Sequence, residues 1–323
     1  MLNPRKDAKV NYKTSLLSTL CLLAMMVVPS YAQDVYGYVY LPVPAQSDVL
    51  VSVPLNNADQ GDFTIAAGGI SGNVITVEEA IGQTFDADKY YVRFIDGAAA
   101  GLWTTISANG ANTFTLDNTE AAALAAAGDT VRVFKHHTIG SIFPAGLLGV
   151  TFVNQTQLLF FSDSIAKNKA PGSGGTVTYT TLFNTGWGSD VDRVIKPEEA
   201  FVVRNNSASD LVFIKTGLLP QHKVAFVAPA SSSNDIVRGI GYPVSVTVED
   251  SDWGDVNQRQ ILLVNNAAAG KNKAPGSGGS FTYTTLFNTG WGADATTSLS
   301  PSAGYIFRQN SGVGGKVTPV KPY

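Results

Sequence analysis

The chain has 323 residues with 22 Lys and Arg against 25 Asp and Glu, a net charge of −3, and 15% charged residues. That balance excludes a nucleic-acid binder, because such binding rests on neutralising phosphates with an excess of basic side chains. Its length suffices for a sizeable core in two or three domains, and one cysteine, Cys21, excludes a disulfide framework.

Arg5, Lys6, Lys9 and Lys13 precede an apolar run from Leu16 to Val28, which ends in Pro29-Ser30-Tyr31-Ala32. A basic stretch, a short apolar stretch and a small-x-small ending make a secretory signal peptide over residues 1–32. The run is too short to span a membrane, and Leu20 stands before Cys21 where a lipid-anchor signal needs a small residue. Cleavage after Ala32 is expected. It removes four basic residues, one acidic residue, every methionine and the cysteine, and leaves a net charge of about −6. The expected location is therefore secreted or cell-surface, with the periplasm as the other compartment. Abundant Gly, Thr, Asn, Val and aromatic residues read as β structure.

Val35–Leu41 and Val49–Val53 read as strands, separated by Pro42-Val43-Pro44 and Gln46-Ser47-Asp48. Residues 60–137 read as a small β-unit. Phe63–Ile65 and Val74–Val77 flank turn-forming Gly68-Gly69 and Gly72-Asn73, and Tyr90–Ile95, Leu102–Ser107 and Thr113–Leu116 follow. Asn109-Gly110 marks a hairpin. Thr119–Ala127 predicts a short helix, with Asn118 as N-cap and Gly128 at its end. Thr130–Lys135 closes the unit, and the pattern predicts a small open barrel or twisted meander.

One segment then occurs twice. KNKAPGSGGTVTYTTLFNTGWG runs from Lys167 to Gly188, and from Lys271 to Gly292 it returns with changes only at Thr176/Ser280 and Val177/Phe281. Phe201-Val-Val-Arg204 returns as Tyr305-Ile-Phe-Arg308, and Pro197 and Pro301, and Asn206 and Asn310, keep the same offset of 104. Val153-Asn-Gln-x-Gln157 matches Val256-Asn-Gln-x-Gln260 at an offset of 103, and Pro44-Ala45…Asp48 matches Pro229-Ala230…Asp235. Asp48 and Asp235 are 187 apart, so the first unit is longer by about the length of the 60–137 unit. The expected fold is all-β: two homologous β-sandwich-like units in tandem, with a small β-domain inserted in the first. The first unit then comprises residues 33–59 and 138–216, the inserted domain 60–137, and the second unit 217–323.

The signal peptide, the strand pair around Pro44-Ala45…Asp48, the Tyr90–Leu116 hairpins and the duplicated block resemble a paralogous family of secreted, β-rich bacterial proteins. The resemblance implies export and a duplicated surface or envelope protein, and it carries over no catalytic residue. Many relatives of this kind carry a C-terminal sorting segment, whereas Pro319-Val-Lys-Pro-Tyr323 has no hydrophobic tail, so the resemblance does not carry over a covalent or membrane anchor.

Candidate chemistry is sparse. Ala170–Gly175 is Gly-rich, but no Gly-Lys-Ser/Thr follows, so no nucleotide is expected. Glu249–Asp255 offers a calcium candidate in Asp250, Asp252 and Asp255, yet lacks the EF-hand order. His136 and His137, adjacent on a strand, point to opposite faces and are not expected to share a metal. There is no Gly-x-Ser-x-Gly elbow. Trp187 and Trp291 close each repeat beside glycines, either as sugar platforms or as caps on their own β-cores. The interaction candidates are Lys167, Asn184, Trp187, Lys271, Asn288 and Trp291. The expected role is a non-enzymatic structural or adhesive protein without cofactor, whose partner is itself or an envelope or extracellular polysaccharide. Carbohydrate binding through the Thr-Gly-Trp-Gly aromatics is the alternative, and a polysaccharide-active enzyme comes third.

Overall fold

The computed structural model describes residues 35–144, 156–161, 179–183, 187–230, 235–253, 259–265, 283–287, 290–310 and 312–323, with the backbone alone at 179–183, 283 and 287. Residues 1–34 and most of the repeated block lie outside these residues. The fold is all-β.

The strands run in order from β1 (Tyr36–Val43) and β2 (Ser47–Ser52) to β3 (Asp59–Ser71), β4 (Val74–Val77), β5 (Tyr90–Phe94) and β6 (Trp103–Asn109). Next come β7 (Thr113–Leu116), β8 (Thr130–Lys135), β9 (His137–Thr138), β10 (Thr156–Phe161), β11 (Tyr179–Phe183), β12 (Val194–Ile195), β13 (Ala200–Asn205) and β14 (Leu211–Leu218). The remainder is β15 (Phe226–Ala228), β16 (Asp235–Arg238), β17 (Val246–Thr247), β18 (Gln260–Val264), β19 (Tyr283–Phe287), β20 (Ser298–Leu299), β21 (Tyr305–Arg308) and β22 (Gly315–Val317).

β3 to β8 form a closed barrel in the order β3-β4-β7-β6-β5-β8, where an open barrel or meander was expected. Closure depends on the length of β3. Its first half pairs with β8 (Phe63 opposite Val131) and its second half with β4 (Ile70 opposite Ile75). Gly68-Gly69 is not the expected turn but a bulge inside β3, where the register shifts between Ile65 and Ile70. Gly68 takes φ +65°, and a Cβ on Gly69 would stand 2.5 Å from the Thr76 carbonyl oxygen. Bulges of this kind bend a strand enough to join two neighbours. Phe63, Ile65, Ile75, Val92, Phe94, Ile106, Phe114, Leu116, Val131 and Val133 fill the interior.

The helix expected over Thr119–Ala127 does not form; only Ala122–Leu124 makes a 3-10 turn. Both end signals still act, since Asn118 Oδ1 accepts the Glu120 amide at 3.3 Å and Gly128 takes φ +86°. Nine residues are too few to sustain a helix by propensity alone, and Ala121 and Ala122 are drawn into the barrel core instead.

Outside the barrel stand two four-stranded antiparallel sheets, β11-β10-β13-β2 and β19-β18-β21-β16, with corresponding strands in corresponding order. Each is accompanied by two small strand pairs, β1 with β14 and β9 with β12 beside the first, β15 with β22 and β17 with β20 beside the second. In the first sheet Arg204 lies directly opposite Asp48, bonded through Nε at 2.6 Å and Nη2 at 2.8 Å. In the second, Arg308 lies opposite Asp235 with the same two bonds at 2.8 and 2.9 Å. All four side chains are buried, and a two-pronged pair of this kind fixes strand register as well as charge.

Alternate residues of these strands enter different cores. Val49, Val51, Leu158, Phe160, Phe201 and Val203 pack under β1 and β14, while Ile261, Tyr305 and Phe307 pack with Phe226 and Trp253. The opposite faces meet each other: Leu50, Leu159, Ala200 and Val202 pack against Val237 and Val264, and Leu262 and Ile306 against Phe161 and Val237. Burial of both faces explains why β10, β13 and β18 read as continuous apolar runs rather than as alternations. The contact is reciprocal, with Ser52 N–H donating to Ser302 O at 2.9 Å and Gly239 N–H to Glu198 O at 2.8 Å.

Candidate functional site

A buried cluster of charged side chains is built on the turn Lys196-Pro197-Glu198-Glu199. Pro197 suits the second position of such a turn, and the Glu199 amide closes it on Lys196 O at 3.1 Å. Glu198 then occupies a left-handed φ of +57°, which costs a non-glycine residue about 1–2 kcal/mol. That strained position aims its carboxylate between three parts of the chain. Arg93 Nη2 from β5 donates to Oε1 at 2.6 Å, Trp103 Nε1 from β6 to Oε2 at 3.0 Å, and Arg238 Nη2 from β16 to Oε2 at 3.4 Å. Arg93 is 0% exposed and also bonds Gly101 O at 3.2 Å. The Arg238 guanidinium stacks 3.9 Å from the centre of the Phe226 ring.

Two guanidinium groups share one carboxylate here, with little solvent. Burial pulls Arg238 down to about 10, partly opposed by Glu198 and reinforced by Arg93. Burial is also the largest single influence on Arg93 and lowers it, but the Glu198 and Tyr91 charges and hydrogen bonds together outweigh it and the net shift is upward. Both carboxylate oxygens are engaged, so the group holds charge in place.

All three histidines are buried beside this junction. His136 Nε2 lies 3.2 Å from Thr105 Oγ1 with its ring 4.7 Å from that of Tyr91. His137 Nε2 lies 2.8 Å from Leu55 O, and His222 packs on Phe134 at 5.5 Å. Burial is the main cause that pushes His136 down to about 3, His137 to about 4, and His222 well below the ordinary value. Among the described residues no three His, Cys, Asp or Glu gather to hold a metal ion.

Of the residues singled out in the sequence, Lys167, Asn184, Lys271 and Asn288 lie outside the described residues. Trp187 is 4% exposed, takes φ +58°, and donates its indole N–H to Phe143 O at 2.7 Å inside the first core. Trp291 is half-buried against the second core. The ring bodies have more to gain from burial than from display. The two described carboxylates of the acidic cluster accept local hydrogen bonds. Asp250 Oδ2 accepts Thr247 Oγ1 at 2.7 Å, and Asp252 Oδ2 accepts the Thr318 amide at 2.6 Å. The Asp252 bond ties down the C-terminal segment, and Asp255 lies outside the described residues.

Two surface features went unread as sites in the sequence. A cleft of about 210 Å³ opens beside the junction, lined by Trp103, Asn118, Glu120, Phe226, Val227 and Arg238 among others. On β1, Tyr36, Tyr38 and Tyr40 stand 65, 68 and 53% exposed. Their signal was present in the alternation Tyr36-Gly-Tyr38-Val-Tyr40, which names a strand face without saying whether it is covered.

Comparison with protein-family models, with curated proteins and with solved structures gives no match.

Removing the junction carboxylate strands two guanidinium groups. Glu198→Ala is expected to cost about 3–5 kcal/mol in urea unfolding, more than the combined apolar replacement of Glu198, Arg93 and Arg238. A loss under 1 kcal/mol would show that the ion pairs hold nothing. The histidines set a pH dependence. Their folded-state values lie below the ordinary 6.5, so the unfolded chain binds more protons once the pH drops below that value. Stability is expected to be complete above about pH 6.5 and to fall progressively as pH approaches 4, with His136→Gln flattening the slope in a thermal-melt series.

Proposed function

We propose that this chain is a non-enzymatic structural or adhesive protein of the cell surface or extracellular space. In this reading it is one β-sandwich-like fold present twice, with the β3–β8 barrel inserted in the first copy. The observation that carries the reading is the buried Arg–Asp clamp repeated at Asp48–Arg204 and Asp235–Arg308, in sheets of corresponding strand order packed back to back. Its buried carboxylates, including Glu198, are committed to arginines that hold strands or sub-structures together. That use of charge suits a scaffold. A chain whose only cysteine lies in the signal segment must also resist the extracellular medium by packing alone. No cofactor, nucleotide or nucleic acid enters this role, and the partner is another copy or an envelope polysaccharide.

The alternative, carbohydrate binding, is favoured by one observation. The cleft beside Glu198 sets the half-buried Trp103 near Asn118, Glu120 and Arg238, an aromatic wall with polar groups at its rim. In this alternative the ring at Trp103 takes the part first assigned to the Thr-Gly-Trp-Gly aromatics, since Trp187 is buried in the first core.

Fractionation of producing cells is expected to find the protein in the envelope or the medium, with regular assemblies in electron micrographs. Retention on insoluble polysaccharide that is lost in Trp103→Ala would favour the alternative. A wholly cytoplasmic protein would overturn both.

A further inference from the structure

The outward face of β1 and β14 breaks the usual rule for a sheet face turned to water, which is polar. Tyr36, Tyr38, Tyr40 and Pro42 alternate outward on β1, while Leu41 and Val43 point into the core. Across the ladder, Tyr40 lies opposite Ile214, Pro42 opposite Val212 and Tyr38 opposite Thr216. Ile214 is 58% exposed and Val212 44%. The one charged residue of the two strands, Lys215, alternates away from this face and donates to Ser141 O at 3.0 Å.

The corresponding pair beside the other sheet is treated differently. There, Ala225 immediately before β15 and Val227 within it pack into the core of the barrel, and the Ala225 amide donates to Gly101 O at 3.0 Å. Lys316 of β22 reaches Ala98 O at 2.8 Å. So the face at Ala225 and Val227 is roofed by the barrel, and the face that bears three tyrosines, Val212 and Ile214 is exposed.

We propose that the β1–β14 face is a self-association surface, which pairs with the same face of a second copy about a two-fold axis. The inference deepens the structural reading above and rests on it. Three observations select a second copy. The face carries no outward charge, so a two-fold pairing brings no like charges together. Neither strand contains Asp, Glu, Asn, Gln or Arg, the groups that would hydrogen-bond sugar hydroxyls or pair with a charged partner, which argues against a glycan. The area also suffices. Three tyrosines of roughly 200 Å² each, about 60% exposed, together with Pro42, Val212, Ile214 and Thr216, offer about 600 Å² per copy. A pair then buries roughly 1,200 Å², the lower edge of specific interfaces, so the association is concentration-dependent.

The protein from Gln33 onward, the form expected after export, is to be followed by sedimentation velocity across roughly 1–100 μM. A monomer–dimer equilibrium is expected. Tyr38→Ser with Ile214→Lys should weaken it about 30-fold or more, as loss of a central aromatic contact does. Both positions are solvent-facing, so the thermal midpoint should stay unchanged. Should that variant misfold, Tyr36→Ser with Thr216→Lys reads the same face. A wild type that stays monomeric, or a folded variant that dimerises as tightly, overturns the proposal. A monomer retained on insoluble polysaccharide through Tyr38 overturns it in favour of a glycan platform. Any of these can occur with the protein still in the envelope, so failure here is distinct from failure of the structural role.

Discussion

One carboxylate holds three parts of this protein together. Glu198 belongs to the turn before β13, yet its oxygens are taken by Arg93 and Trp103 of the barrel and by Arg238 at the end of β16. The site concentrates costs: a left-handed backbone at a residue with a full side chain, and two guanidinium groups desolvated around a single negative charge. Burial of charge is repaid only where geometry is good and remaining donors find partners. Arg93 finds Gly101 O and Arg238 finds the Phe226 ring. Without the carboxylate the two cations would repel in a low-dielectric setting, where Coulomb terms are large. The barrel's seating on the rest of the fold therefore depends on it.

The other buried charges act at shorter range. Asp48–Arg204 and Asp235–Arg308 each cross one strand pair in register. A strand buried on both faces has no polar side to distinguish its orientations, so a slip of one residue is weakly opposed by hydrophobic pattern alone. A buried ion pair opposes it strongly, since the slip would leave both charges unpartnered. This is why a continuous apolar run such as Ala200–Val203 of β13 can sit in a defined register against β2. The β1–β14 pair obeys a different rule, being apolar on both faces while covered on only one.

How much of this was legible in the sequence varies by element. Strand positions were readable because β-branched and aromatic runs are bounded by Gly, Pro and Asn. The match of Asp48 with Asp235 was legible, although the pairing of each with an arginine, Arg204 or Arg308, is a long-range fact that spacing cannot supply. Gly68-Gly69 read as a turn because a bulge and a turn use the same glycine freedom; only the register of β3 against both β4 and β8 separates them. The alanine run from Ala121 read as a helix because propensity is local, whereas the barrel core draws Ala121 and Ala122 inward. Trp187 illustrates the converse, a ring between glycines that folds into its own core. Glu198 carried no signal at all. It follows a proline in a charged stretch, and its partners lie 105 and 40 residues away in sequence.

If Glu198 couples the barrel to the two sheets, the described fold should melt as one cooperative unit. Differential scanning calorimetry of the protein from Gln33 onward tests this most directly. A single endotherm with equal calorimetric and van't Hoff enthalpies is the expected result. Two resolved transitions in the wild-type protein, one of them belonging to the barrel, would contradict the account.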